Sequence, residues 1–187
     1  RIEAGTFAMA AAATGGEVVL HGARPEHMGA VLDKLREAGV RIERRNGSLA
    51  VAPTRAIQPI DATTMPYSGF PTDMQAQLMA VACLAPGISV ITERIFESRF
   101  MHASELMRLG AEISIEGPSA IIKGGKPMSG APVMASDLRA SAALIIAGLA
   151  ARGETLVHRV YHLDRGYERM EEKLRKLGAR IERVPGE

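Results

Sequence analysis

"LREAGVRIE", Leu35 to Glu43, reads as the end of a helix, a stop, and the start of a strand. Its basic residue Arg36 suits a helical last turn, Gly39 stands where a C-cap favours positive φ, and Val40 and Ile42 open an alternation of apolar and polar side chains. The arrangement returns twice, as "LMRLGAEIS" at Leu106–Ser114 and "LRKLGARIE" at Leu174–Glu182, with Gly110 and Gly178 in the place of Gly39. Self-similarity of this kind points to repeated units, and it governs the architecture before any single element does.

Each copy follows a Gly-led, β-branched run: "GEVVLHG" (Gly16–Gly22), "GISVITE" (Gly87–Glu93) and "GETLVHR" (Gly153–Arg159). These read as strands after turns. Upstream of each strand lies a stretch of helix formers with almost no charge: "EAGTFAMAAAATGG", "DMQAQLMAVACLAPG" and "DLRASAALIIAGLAARG". A helix without a polar face belongs in an interior, packed on all sides. Asn46-Gly47 supplies a favoured hairpin turn with Ser48 to Ala52 as the return strand, and Gly117-Pro118 turns the second unit back through "SAIIKGG". In the third unit the strand "RIERV" runs to a Pro185-Gly186 turn with no return strand. An upstream segment is then needed to protect that edge. The expected fold is an inside-out, barrel-like α/β domain of three pseudo-symmetric repeats, 1–55, 56–130 and 131–187. Its buried helices lie inside, its sheets outside and its polar second helices on the flanks. With Arg1 in place of a starting Met, the chain reads as a fragment.

At 187 residues and 47% hydrophobic content the chain can bury a core. Its net charge of +2, scattered basic residues and lack of Trp argue against nucleic-acid partners. No apolar run is long enough to span a bilayer, and no signal peptide opens the chain. The one cysteine, Cys83, excludes an internal disulfide and suits a reducing cytosol. Placed among Met79, Val81 and Leu84, it reads as an inert core thiol. The five histidines show no ligand spacing, so no metal is expected. "GGKPMSG" lacks the leading Gly of a phosphate-binding loop and has Pro after its Lys.

Two aspartates open apolar helices: Asp73 in "PTDMQ" and Asp137 in "ASDLR". Helix capping explains such residues without any chemistry. However, the approach to Asp73, "PYSGFP", is a stiff and shaped loop, and Arg139 sits inside an apolar helix where an unpaired guanidinium is costly. Arg139 therefore needs an anion, from protein or ligand. Arg99 and Arg165 stand before the outer helices of their units, with Asp164 as a possible cap. Converging arginines beside a carboxylate would suit a small, multiply anionic substrate, and locally paired surface charges are an equal alternative. Arg24, before Pro25, is read as structural.

"RIEAGTF" (Arg1–Phe7), "FPTDMQAQ" (Phe70–Gln77), "FESRFMH" (Phe96–His102), "SDLRASAALIIAG" (Ser136–Gly148) and "DRGYERMEEKLRKLGARIERV" (Asp164–Val184) closely resemble the UDP-N-acetylglucosamine enolpyruvyl transferase (1-carboxyvinyltransferase) family. The resemblance covers essentially the whole chain. It implies a bacterial, cytoplasmic enzyme that moves the enolpyruvyl group of phosphoenolpyruvate to the 3′-hydroxyl of UDP-N-acetylglucosamine with release of phosphate, at the start of peptidoglycan synthesis. It implies no cofactor. By motif, Asp73 meets the sugar hydroxyl as its proton acceptor, and Ile95 contacts the nucleotide sugar through its backbone. Arg99, Arg139 and Arg165 line the phosphoenolpyruvate side, with Arg165 as well as Asp73 catalytic, and Asp137 is a cleft acid beside them. The resemblance implies that this chain is about half of a two-domain enzyme whose upstream domain is absent; the family's reactive cysteine and catalytic lysine belong to that other domain, so this half is expected to be inactive alone. Ser68-Gly69 departs from the family's usual loop. The sister family making 5-enolpyruvylshikimate 3-phosphate is the nearest alternative, although "RIEAGTF" and "DRGYER" favour the nucleotide-sugar enzyme. A non-catalytic scaffold of the same fold is the other, and it would scatter the arginines onto separate faces.

Overall fold

A computed structural model describes residues 1–52 and 55–185. The chain runs α1 (Ile2–Thr14), β1 (Val18–His21), α2 (Gly29–Glu37), β2 (Arg41–Arg45), β3 (Ser48–Ala52), β4 (Ala62–Thr63), α3 (Gln75–Ala82) and β5 (Gly87–Thr92). It continues through α4 (Met101–Arg108), β6 (Glu112–Glu116), β7 (Ser119–Gly124), β8 (Pro132–Met134), α5 (Leu138–Ala150), β9 (Leu156–His158) and α6 (Met170–Lys176). Short 3-10 turns occupy Pro25–His27, Thr72–Met74 and Val160–Arg165.

The nearly uncharged helices α1, α3 and α5 pack on one another, each backed by strands of its own segment. Every residue of α3 is buried, as are Gly5 to Ala12 of α1 and Ala140 to Ala147 of α5. Small side chains permit this close approach, and large ones fill the seams: Met9, Leu78 and Met79 are fully enclosed. Truncating such a leucine to alanine typically costs about 2–5 kcal/mol. The outer helices α2 and α4 instead bury one stripe, Val31, Leu32 and Leu35 in the first and His102, Ala103 and Leu106 in the second.

The first sheet has the order β1-β3-β2 and the second β4-β5-β7-β6, so each return strand lies between its partners. Asn46-Gly47 joins β2 to β3 with Arg45 opposite Ser48, and Gly117-Pro118 joins β6 to β7 with Glu116 opposite Ser119. Gly39, Gly110 and Gly178 all have φ between +88° and +97°, the left-handed stop that a Cβ would strain.

Two features depart from the expected pattern. Strands β4 and β8, two and three residues long, precede α3 and α5 and pair in parallel with β5 and β9, which makes α3 and α5 crossovers between parallel strands. Strands so short carry no readable alternation. In addition, "RIERV" is not a strand, and part of the Pro185-Gly186 turn lies outside the described residues. Among the described residues β9 pairs only with β8, so residues 181–184 have no ladder to join. Side chains hold this tail instead: Arg183 grips Asp164 and Glu171, and Arg175 Nε donates to the Ile181 carbonyl. No helix is long and apolar enough to cross a membrane among the described residues.

Candidate active site

Pro71 leads the backbone, still extended, into the Thr72–Met74 turn, and Asp73 stands in that turn rather than at the start of α3. Its carboxylate caps neither the turn nor the helix. Asp73 Oδ1 instead faces Arg139 Nε at 3.3 Å and Arg99 Nη2 at 3.6 Å. The side chain is 42% exposed. Asp137 behaves in the opposite way. Its Oδ1 accepts the backbone N–H groups of Arg139 (2.7 Å) and Ala140 (2.9 Å), a regular N-cap for α5. One of the two similar aspartates is a cap and the other is an exposed anion held by two cations.

Arg139 is only 16% exposed, and Asp73 is the anion its position demands. Its guanidinium also lies 6.0 Å from the Tyr167 ring centre. Below it, Tyr167 joins the inner helices. Its hydroxyl is 2.8 Å from Thr6 Oγ1 of α1 and accepts from Gln77 Nε2 of α3 at 3.2 Å, and the same Gln77 nitrogen donates to the Asp73 carbonyl at 3.0 Å. Sequence reasoning missed this cluster. Its signal was present, since Thr6 and Gln77 are among the few polar residues in their helices.

Arg99 approaches from the loop after β5. Ser98 takes a left-handed conformation, φ +55°, which turns the chain just before Arg99. The Arg99 guanidinium lies 5.2 Å from the Phe96 ring centre and donates from Nη1 to Thr72 Oγ1 at 2.9 Å. Gln75 Nε2 holds the Arg99 carbonyl at 3.1 Å. In the same loop, Ile95 exposes its side chain and donates its backbone N–H to Glu93 Oε1 at 2.7 Å. Glu93 is itself 3% exposed. Oε1 also accepts from Thr64 Oγ1 (2.6 Å) and Phe96 N (3.1 Å), and Oε2 from Thr72 Oγ1 (2.8 Å). Burial opposes charge on Glu93, yet the bonds from Thr64, Ile95, Thr72 and Phe96 hold its carboxyl below the ordinary range. This residue was also missed. Glu93 continues the inward parity of Ser89 and Ile91, and an acid at an inward strand position was the available clue.

The structure thus brings Asp73, Arg99 and Arg139 together, with Asp137 and Ile95 on the adjoining segments. It does not bring Arg165 into contact with them. Arg165 ends the Val160–Arg165 turn, exposed and without an ion pair among the described residues. Gly166 closes against the Leu138 side chain at the head of α5, so Arg165 borders the cluster. Asp164 does not cap α6 as expected. Both its oxygens are taken by Arg183, at 2.7 and 2.9 Å, and this pairing holds its carboxyl below the usual range. Arg24 is exposed just before the Pro25–His27 turn. Cys83 lies in the core, where burial pushes its thiol up to about 12. Among the described residues, no three of His, Cys, Asp and Glu are grouped as a metal would require.

Residues 1–174 match the family described as EPSP synthase (3-phosphoshikimate 1-carboxyvinyltransferase). The chain is 60% identical over 187 residues to a UDP-N-acetylglucosamine 1-carboxyvinyltransferase of Novosphingobium aromaticivorans, covering 100% of this chain and 44% of the relative. A protein of the same name from Anaeromyxobacter sp. is 60% identical over 183 residues, 98% of this chain and 43% of the relative. This chain therefore spans less than half the length of these relatives. Among solved structures, the enolpyruvyl transferase NikO from Streptomyces tendae superposes with a TM-score of 0.86 at 31% identity, over 95% of this chain and 42% of that one. An EPSP synthase from Acinetobacter baumannii shares the fold, with a TM-score of 0.63 at 23% identity over 82% of this chain and 37% of the other. The family match over nearly the full length, on a fold shared with other enolpyruvyl transferases, means that this chain belongs to the EPSP synthase family of 1-carboxyvinyltransferases.

Proposed function

We infer that this chain contributes one half of an active site that transfers the enolpyruvyl group of phosphoenolpyruvate to the 3′-hydroxyl of UDP-N-acetylglucosamine, in a bacterial cytoplasm. The observation that carries the reading is the geometry of Asp73, a carboxylate free of capping duty, aimed by a shaped loop and flanked by two arginines. The relatives that share 60% of its residues carry the name of that nucleotide-sugar enzyme, which favours UDP-N-acetylglucosamine over shikimate 3-phosphate.

The chemistry needs a proton acceptor for the hydroxyl and cations around two anionic groups. The sugar oxygen adds to C2 of phosphoenolpyruvate as C3 gains a proton. Loss of a C3 proton then expels phosphate and leaves the enol ether. Asp73, its carboxylate partly exposed, is the acceptor for the hydroxyl proton. Arg99 and Arg139 are planar forks suited to carboxylate and phosphate, and their attraction to Asp73 keeps them poised until a more anionic ligand competes for them. Arg165, with no ion pair among the described residues, completes the cationic lining on the donor side, and Asp137 holds the head of α5 so that Arg139 keeps its direction. Ile95 offers backbone groups to the sugar nucleotide. The segments 1–55, 56–130 and 131–187 are read as repeats of one unit, which would set the loops before α3 and α5 on a common face. The remaining site residues come from a partner domain of the relatives' kind.

The test uses a full-length protein carrying this chain and follows phosphate release from phosphoenolpyruvate with either acceptor. Release with UDP-N-acetylglucosamine, lost in Asp73→Asn, supports the reading. Release only with shikimate 3-phosphate moves the protein to the sister reaction, and release with neither favours a scaffold.

A further inference from the structure

Glu93 is the most deeply buried carboxylate beside the cluster, and no step of the transfer uses it. Its surroundings have a definite polarity. Four donors point at it, two of them hydroxyls, and an ionised carboxylate can only accept. Thr72 must spend its one O–H proton on Glu93 Oε2, which leaves a lone pair to receive Arg99 Nη1. Thr64 does the same: it donates to Glu93 Oε1 and accepts the backbone N–H of Arg94 at 2.8 Å. Both hydroxyls are thereby oriented, and each passes the orientation to the loop that carries Arg99. Thr72 is also the neighbour of Asp73, so one side chain fixes the two ends of the Arg99–Asp73 pair.

We propose that Glu93 is a positioning residue, which through Thr72 sets Arg99 against Asp73; this deepens the transferase reading and rests on it. Glu93→Gln makes the point sharply because it changes no volume. If the new amide nitrogen replaces Oε1, it meets three donors. If it replaces Oε2, it donates to Thr72, whose own proton then loses its acceptor and competes with Arg99. Neither orientation preserves the network.

The experiment compares wild type, Glu93→Gln, Thr72→Val and Thr72→Ser in the full-length protein, with steady-state kinetics and crystal structures of each. Glu93→Gln and Thr72→Val should lose about 100-fold in kcat, the scale of a misplaced catalytic group, with KM values changed less than about threefold. Thr72→Ser keeps the hydroxyl and should restore wild-type turnover, which a merely structural role for the threonine methyl would not do. In the crystals of Glu93→Gln, Arg99 should leave Thr72. Wild-type-like kcat in Glu93→Gln, or Arg99 still bonded to Thr72 in its structure, overturns the proposal. Should Glu93→Gln not fold, Thr72→Val carries the same comparison, and its unaltered turnover also overturns it. If wild type releases no phosphate with any acceptor, the transferase reading fails by itself, and the Arg99 position in the crystals still decides the role of Glu93.

Discussion

Arg139 Nε stands 3.3 Å from Asp73 Oδ1, although one residue lies on α5 and the other in the turn before α3. The pair links two of the three inner helices near the heads of both. Asp73 is nearly half exposed and caps nothing, and Asn in its place keeps an acceptor oxygen toward the largely buried Arg139, so the guanidinium is not left without a partner. Asp73→Asn should therefore change stability by less than about 1 kcal/mol in urea unfolding. Phosphate release should fall by about 100-fold or more, the typical contribution of a general base. A large loss of stability with activity retained would return Asp73 to a structural role.

Asp137 gives the opposite result on the same assays. Its Oδ1 satisfies two amides at the head of α5, so Asp137→Ala should cost about 1 kcal/mol of stability, whereas Asp137→Asn, which keeps an acceptor oxygen, should cost little. Equal losses in both would show that its charge rather than its hydrogen bonds matters.

Arg165 tests the donor side. It has no ion pair among the described residues, so Arg165→Ala should leave the unfolding midpoint unchanged. A charge-assisted bond to a ligand is worth about 1.5–3 kcal/mol, so the same change should weaken use of phosphoenolpyruvate by about 10- to 100-fold in kcat/KM. An unaltered kcat/KM would remove Arg165 from the site.

The elements with long periodic patterns were legible in the sequence. The nearly uncharged α1, α3 and α5, the hairpin turns at Asn46-Gly47 and Gly117-Pro118, and the glycine stops at Gly39, Gly110 and Gly178 follow from local chemistry that nothing in the tertiary structure opposes. Strands β4 and β8 were not legible, because two or three residues carry no alternation and owe their conformation to the neighbour they pair with. "RIERV" failed for the converse reason: its alternation is strand-like, but among the described residues no neighbouring strand receives it. At the site, Asp73 and Asp137 look alike in sequence. Which of them caps depends on whether a 3-10 turn intervenes before the helix, and only the folded backbone decides that. Glu93 escaped notice because its four partners come from three separate segments.

Cys83 sits at the end of α3 with its thiol pushed up to about 12 by burial, a cost the Cys83 backbone offsets only in part. A thiolate is the reactive form, so the native protein should resist iodoacetamide at pH 8 and become labelled only when it opens. Labelling at the rate of a free thiol would show that the α3 core is breached under native conditions. Phosphoenolpyruvate should not change the rate of labelling at Cys83, which distinguishes this thiol from any reactive cysteine elsewhere in a longer chain.

His102 predicts how stability depends on pH. It is buried on α4, with Nε2 3.1 Å from Met79 Sδ, and burial pushes it down to about 4; nearby Asp137 raises it and Arg99 lowers it further. Between about 6.5, the unfolded value, and about 4, the unfolded chain takes up a proton that the native chain refuses. Stability is therefore fully present above 6.5 and declines as pH falls through that window, by an amount on the order of 3 kcal/mol at its lower end. Glu93 acts later and with the same sign. Its carboxyl lies below the ordinary 4.5 in the folded state, so its contribution is present above that value and is lost only as pH falls further. Urea unfolding of wild type from pH 7.5 to 4 should show the decline begin near 6.5. In His102→Gln the curve should stay nearly flat down to about 4.5 and then fall with the carboxylates. A wild-type profile that is flat to pH 5, or a variant that declines as wild type does, would mean that His102 is protonated inside the fold.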